Sequence, residues 1–276
     1  MFPNIVPGLR SQEKVTRKAL CHAFDVARNR HQITLSDRSL ARSRELNAAV
    51  PYARVELGNS LWREFLAHFA LSEFQPIPSV PLFYVTPVDI GCMTALDAPQ
   101  VYVGEFVRQL RRGLRGLSYV GIVDVSLYAN ISPGTNFADR SAVNWHLHLF
   151  AWGETREVFK ARAKPLNDEI ENYRPIIPRP AGIGFHWQEV TEENYSRRFR
   201  YMCKTPRKAY RIGRTETMDA KGCKIINLKQ GKSLLRPGQR ITLFNLLKQC
   251  PLEQLVVAGG EGVALRRRAL RSLARP

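Results

Sequence analysis

An α+β fold is what this sequence predicts, on three observations. Residues 1–80 carry apolar side chains at helical spacing. From Leu82 onward, runs of β-branched and aromatic residues alternate with amphipathic stretches. The apolar fraction, 44% of 276 residues, is enough for a packed core and too high for general disorder.

Taken in order, 11–29 and 60–69 read as helices, and the proline-rich FQPIPSVP then resets the chain. LFYVTPVDI (82–90) reads as a strand ending near Pro87. Residues 100–117 read as a helix, with Val103, Phe106, Leu110, Leu114 and Leu117 on one stripe and Arg108, Arg111, Arg112 and Arg115 largely off it. YVGIVDVSLY (119–128) is a strand, NISPGTN opens a loop, and 143–152 is the next strand. ETREVFKARAKPLNDEI reads as a helix that Pro165 is placed to break, followed by a proline-rich turn. GIGFHWQEV (182–190) is a further strand. TEENYSRRFRYMCK (191–204) is a helix with Thr191 as its N-cap and Pro206 as its stop. The order β-α-β-β-α-β is the ferredoxin-like arrangement, an antiparallel sheet in spatial order 4-1-3-2 with helical segments flanking it.

The strand VNWHLHLFAW interrupts an apolar run with His146 and His148. Alternation puts both imidazoles on one face with Asn144 and Phe150. On the preceding strand Asp124 shares a face with Ile122 and Ser126. If Tyr128 pairs with Ala142 across the loop, Asp124 falls opposite His146, whereas a one-residue slip turns it to the wrong face. Two imidazoles and a carboxylate at roughly 5 Å spacing would make a three-ligand site for Mn²⁺, Mg²⁺ or Zn²⁺. His186 is a rival third ligand, two strands away at roughly 9–10 Å; Glu154 follows the histidines but starts a helix. Two core histidines satisfied by local hydrogen bonds are the alternative, against which a buried aspartate on the facing strand argues.

On the late helix, Tyr201 and Lys204 share a face, with Asn194, Arg197 and Arg198 on or beside it. A phenol with a normal pKa near ~10 needs a strongly polarised phosphorus or prior deprotonation to act as a nucleophile. A metal would supply that polarisation, and a lysine would hold the developing charge. Tyr195 and Tyr210 are alternative nucleophiles, though neither has a lysine three residues later.

These residues carry a resemblance over residues 82–212 to the HUH endonucleases, specifically the rolling-circle replication initiators. FYVTP (83–87) looks like the family's first motif, HLHLF (146–150) matches its histidine–hydrophobic–histidine motif, and YMCK (201–204) fits its tyrosine–x–x–lysine motif. The resemblance implies His146 and His148 as metal ligands, Asp124 as the acidic third ligand, Tyr201 as the nucleophile and Lys204 as the active-site cation. It also implies an attack on single-stranded or origin-hairpin DNA that leaves a 5′-phosphotyrosine and a 3′-hydroxyl for a host polymerase, with a helicase acting alongside. Arg197, Arg198, Arg207 and Lys208 are the expected DNA contacts. Many relatives repeat the tyrosine pattern, whereas Thr205 and Pro206 end the helix here, so a single nucleophile is expected. On this reading the segments are a helical extension (1–80), the endonuclease domain (81–215) and a helical, basic C-terminal segment (216–276).

Charge and cysteine usage agree. Lys and Arg number 42 against 24 Asp and Glu, a net +18 that favours a polyanionic partner. No run approaches the ~20 apolar residues that span a bilayer, and MFPNIVPGLRSQEK lacks a secretory apolar core. Five scattered cysteines form neither a disulfide framework nor a zinc finger, which fits a reducing cytoplasm. The C-terminal stretch reads as two or three short helices, a basic cap on the core or a helix-turn-helix. No strand is expected before GGEG (259–262), and no Lys-Ser/Thr follows it, which argues against a phosphate loop. The rival functions are a relaxase or transposase with the same chemistry, a DNA-binding protein without activity, and a small-molecule metalloenzyme of all-β type.

Overall fold

The computed structural model of the chain describes residues 5–26, 33–70, 79–96, 103–129, 131, 141–168, 173–176, 183–218 and 221–274. Three helices come first: α1 (Val6–Val26), α2 (Leu35–Arg42) and α3 (Pro51–His68). A capping box starts α2: Thr34 Oγ1 accepts the Asp37 N–H while the Asp37 carboxylate accepts that of Thr34. Pro51 starts α3, where its missing N–H removes no bond. Leu57, Leu61 and Phe65 form the buried stripe of α3.

Among the described residues seven strands make one mostly antiparallel sheet: β1 (Leu82–Ala95), β2 (Ser118–Ala129), β3 (Ser141–Trp152), β4 (Phe185–Glu189), β5 (Lys208–Met218), β6 (Lys224–Leu234) and β7 (Val256–Gly259). The spatial order is β4-β1-β3-β2-β5-β6, with β7 paired to the Tyr119–Ile122 stretch of β2. Two helices cover one face. In α4 (Val103–Leu110), Phe106 stacks on Trp145; in α5 (Arg156–Asp168), Phe159 stacks on Phe83. The other face carries α3 and α6 (Tyr195–Met202), whose Phe65 and Phe199 pack on Phe150. The last two helices, α7 (Pro237–Leu247) and α8 (Gly262–Leu273), pack on α1 and α3 respectively. A continuous core of buried side chains runs from Ile5 to Ala269. No helix among the described residues is long and apolar enough to cross a membrane.

Several expectations need correction. β1 continues through Pro87 to Ala95, because Val88 and Ile90 find acceptors in the Gly184 and Arg174 carbonyls, at 2.7 and 2.8 Å. The expected 100–117 helix is short. After α4 the chain turns as a 3-10 segment, Arg112–Leu114, in which the Gly113 N–H donates to Tyr173 Oη at 2.9 Å. Pro165 does not break α5; Asn167 holds the helix end instead, donating to the Phe185 carbonyl and accepting the Phe185 N–H, both at 2.9 Å. Thr191 is not the N-cap of the late helix. Asn194 holds that position, and the Thr191 carbonyl accepts from the Asn194 and Tyr195 N–H groups in a turn before it.

The largest correction lies after residue 207. The stretch expected to be helical from 216 contains most of a β-hairpin, β5–β6, and β7 separates α7 from α8, which leaves no helix-turn-helix there. A strand does lead into GGEG, and Gly260 (φ +53°) turns it into α8. FQPIPSVP, the loop opened at Asn130 and the proline-rich turn after α5 lie largely outside the described residues.

Candidate active site

β3 alternates as read from the sequence. Trp145, Leu147 and Leu149 face α4 and α5, so His146, His148 and Phe150 emerge on the face shared with α3 and α6. The β2–β3 register pairs Tyr128 with Ala142 and Asp124 with His146. One Asp124 carboxylate oxygen and a ring nitrogen from each histidine all lie within 4.8 Å of one another. The two Nε2 atoms are 3.2 Å apart, and Asp124 Oδ2 stands 3.9 Å from His146 Nε2 and 3.7 Å from His148 Nε2. All three side chains are buried.

The donor chemistry fits a metal ion. The Asn144 carbonyl, 3.4 Å from His146 Nδ1, can only accept, so the proton sits on Nδ1 and Nε2 keeps its lone pair. Thr86 Oγ1, a hydroxyl that can accept or donate, lies 3.1 Å from His148 Nδ1 and holds the second ring by that edge. Burial draws His146 down to about 4, against the pull of Asp124, and draws His148 well below the usual histidine range, with Lys204 adding to the effect. Both rings are therefore neutral and able to ligate near neutral pH. Burial alone would raise Asp124, but Lys204 and Arg54 outweigh it, and the carboxyl falls well below the usual range. Ligand bonds of about 2.1 Å set neighbouring donors about 3.0–3.4 Å apart. The histidine pair already meets that spacing, and the carboxylate needs only a small shift.

α6 brings the second group of residues. Its buried stripe, Tyr195, Phe199 and Met202, anchors it over α3, which leaves Tyr201 on the opposite side, 39% exposed. The Tyr201 ring meets the His148 ring edge-on at 5.0 Å. Lys204 Nζ bonds Asp124 Oδ2, lies 3.3 Å from His148 Nε2 and stands 4.3 Å from the centre of the Tyr201 ring. Tyrosine, lysine and the aspartate–histidine trio thus share one site.

Two cavities open on it. One of about 370 Å³ is lined by Tyr84, His148, His186, Arg198, Tyr201 and Tyr210. Another of about 330 Å³ is lined by Asp124, Tyr201, Lys204, Arg207, Lys208 and Lys232. Tyr201 and Tyr210 border both. Of the expected DNA contacts, Arg198 sits 5.4 Å over the Tyr84 ring in the first cavity, and Arg207 and Lys208 flank the second. Arg197 is exposed and lines neither cavity. His186 lies beyond β1, on the cavity wall, and is not among the clustered donors. Glu154 pairs with Arg162 at 2.9 Å. Tyr195 is buried against Trp62 and is unavailable as a nucleophile.

Sequence reasoning missed Arg54. This α3 residue is 2% exposed; Nη1 lies 3.5 Å from Asp124 Oδ1 and donates to the Lys204 carbonyl at 3.2 Å. It ties the carboxylate to the end of α6. Neither a protein-family model nor a curated protein nor a solved structure matches this chain.

Proposed function

We propose that this chain is an HUH-type endonuclease, a replication initiator that nicks single-stranded DNA by transesterification. The observation that carries the reading is Tyr201 and Lys204 standing directly over the Asp124, His146 and His148 donors. Strands β4-β1-β3-β2 with α4 and α5 on one face support a ferredoxin-like core, which presents its opposite face as the site.

On this reading Asp124, His146 and His148 hold a divalent metal, Mn²⁺ or Mg²⁺, which supplies Lewis acidity to the non-bridging oxygens of the scissile phosphate. Tyr201 Oη attacks the phosphorus; the new P–O bond joins the phenol to the 5′ side, and the bond to the 3′ oxygen breaks. The phenol proton leaves to solvent along the exposed edge of the ring, and the 3′ oxygen takes a proton to become a free hydroxyl for a polymerase. Lys204 stabilises the charge that builds on the phosphoryl group. Arg198, Arg207 and Lys208 hold the strand on either side.

The test is incubation with single-stranded oligonucleotides and Mn²⁺, read on denaturing gels. Wild type should give a protein–DNA adduct and Tyr201→Phe none, with DNA affinity nearly unchanged. Adduct formed by Tyr201→Phe, or none by wild type on cognate origin sequence, removes the proposal.

A further inference from the structure

Beside Arg54, helices α1, α3 and α7 leave a small cleft of about 40 Å³ between them. Its wall is mostly apolar, and Leu20, Leu243 and Phe244 are buried in making it. Thr16, Arg54, Thr205 and Arg240 are the polar side chains on it. Two of these four are guanidinium cations, and no carboxylate lines the cleft among the described residues.

The nitrogens of Arg54 are unequally served. Nε lies 3.5 Å from the Ala48 carbonyl, and Nη1 donates to the Lys204 carbonyl at 3.2 Å and faces Asp124 Oδ1 at 3.5 Å. Nη2 is buried and finds no acceptor among the described residues. A buried N–H without an acceptor keeps the whole cost of its lost hydration, more so on a charged group. The two threonines add a further donor. Their Oγ1 atoms are 2.9 Å apart, so one hydroxyl donates to the other, and the accepting one keeps its own proton to give.

The charge balance points the same way. Burial lowers the pKa of the Arg54 guanidinium although Asp124 pulls it upward. Arg240 is partly buried; burial lowers its pKa and the neighbouring Arg207 lowers it further. A water could accept from Arg54 Nη2, yet it would leave Arg207 and Arg240 repelling each other. An anion would serve both needs. One water needs about 10–15 Å³ of such space, so the cleft has room for a monoatomic ion and a water or two, which favours a halide over an organic anion.

We propose that this cleft binds a chloride ion, held by Arg54 Nη2, by Arg240 and by a threonine hydroxyl, so that the guanidinium beside Asp124 is satisfied on every nitrogen. Crystals of the full chain soaked in sodium bromide should show an anomalous peak within hydrogen-bond reach of both guanidiniums. Thermal melts in sodium chloride are compared with melts in sodium glutamate at equal concentration. The difference between the two series should rise with concentration and saturate. Arg240→Gln, a change at a partly exposed position, keeps the test free of a folding failure at Arg54. It should abolish the bromide peak and raise the half-saturating chloride about tenfold or more, the loss expected when one charged hydrogen bond is removed.

A cleft that holds water and no anomalous scatterer overturns the proposal. So does a difference between the melts that never saturates. A bromide peak of full height in Arg240→Gln marks an adventitious ion only and overturns it too. The site does not rest on the nicking activity proposed above: saturable chloride binding without a tyrosine adduct keeps the anion and removes the nicking, and an adduct without it does the reverse.

Discussion

Replacing Arg54 with methionine tests whether the buried charges of the site are one mechanical unit. The guanidinium is 2% exposed and lies between Asp124 Oδ1, at 3.5 Å, and the Lys204 carbonyl, at 3.2 Å. Methionine fills much the same volume, so the change removes the charge and three polar contacts, the third from Nε to the Ala48 carbonyl at 3.5 Å, while leaving little void. Breaking a buried pair by deleting one partner typically costs about 3–5 kcal/mol, because the other charge remains uncompensated. Asp124 keeps Lys204 on its other oxygen, which places the expected loss near the lower end, about 3 kcal/mol. The cycle is completed with Asp124→Leu and the double variant, each unfolded in urea and followed by circular dichroism. With the carboxylate gone, Arg54 has little left to neutralise, so the double variant should lose about 1–3 kcal/mol less than the sum of the singles. Additivity within about 0.5 kcal/mol, or a loss below about 1 kcal/mol for Arg54→Met, refutes the coupling.

Three further outcomes follow from the geometry. In chelator, stability should fall as pH drops from ~6.5 toward about 4, because the unfolded chain takes up protons that His146 and His148 refuse while buried, by about 1 kcal/mol per pH unit for each ring; a flat urea midpoint over that window contradicts it. Asp124 acts with the same sign in a more acid window: its carboxylate contributes stability above ~3.9 that is lost as pH falls toward its lowered folded value. His148→Ala should weaken Mn²⁺ binding by calorimetry by more than about 100-fold, and Thr86→Val, which frees His148 Nδ1, by about 10-fold. Gly121→Ala should destabilise by about 2 kcal/mol or more, since its Cβ would stand 2.2 Å from Leu149 Cβ and 2.5 Å from the His148 carbonyl, between the strands that set the site's register; a thermal melt measures it.

Much of the site was legible because a strand has a period of two and a hairpin fixes its own register. Those rules, with Tyr128 taken to pair with Ala142 across the loop, put Asp124 opposite His146. One available signal was passed over: Tyr195, Phe199 and Met202 repeat at helical spacing, which marks Tyr195 as a packing residue and leaves Tyr201 off the stripe. Other features left no local mark. Arg54 is one of 42 basic residues, and its partner lies seventy positions away. β5 and β6 carry lysines and arginines where strands usually alternate apolar and polar residues, because most of their described side chains are exposed and the two strands bond to each other along their length. β7 is four residues long and exists because β2 offers it an edge.

The charges at the site also constrain what it can receive. Burial makes both imidazoles neutral, and Lys204 and Arg54 together exceed the single charge of Asp124. A surplus of positive charge beneath a low-dielectric wall attracts an anion and is costly to leave unbalanced. On the function proposed above, a phosphodiester lying against Tyr201 would bring the missing charge to the place where Lys204 and the two basic-lined cavities can use it. The same two cations keep the Asp124 carboxylate ionised as a hard oxygen donor between neutral nitrogen donors. On that proposal, retention of the carboxylate and attraction of a phosphate would have one cause, and a variant that removes either cation should disturb both.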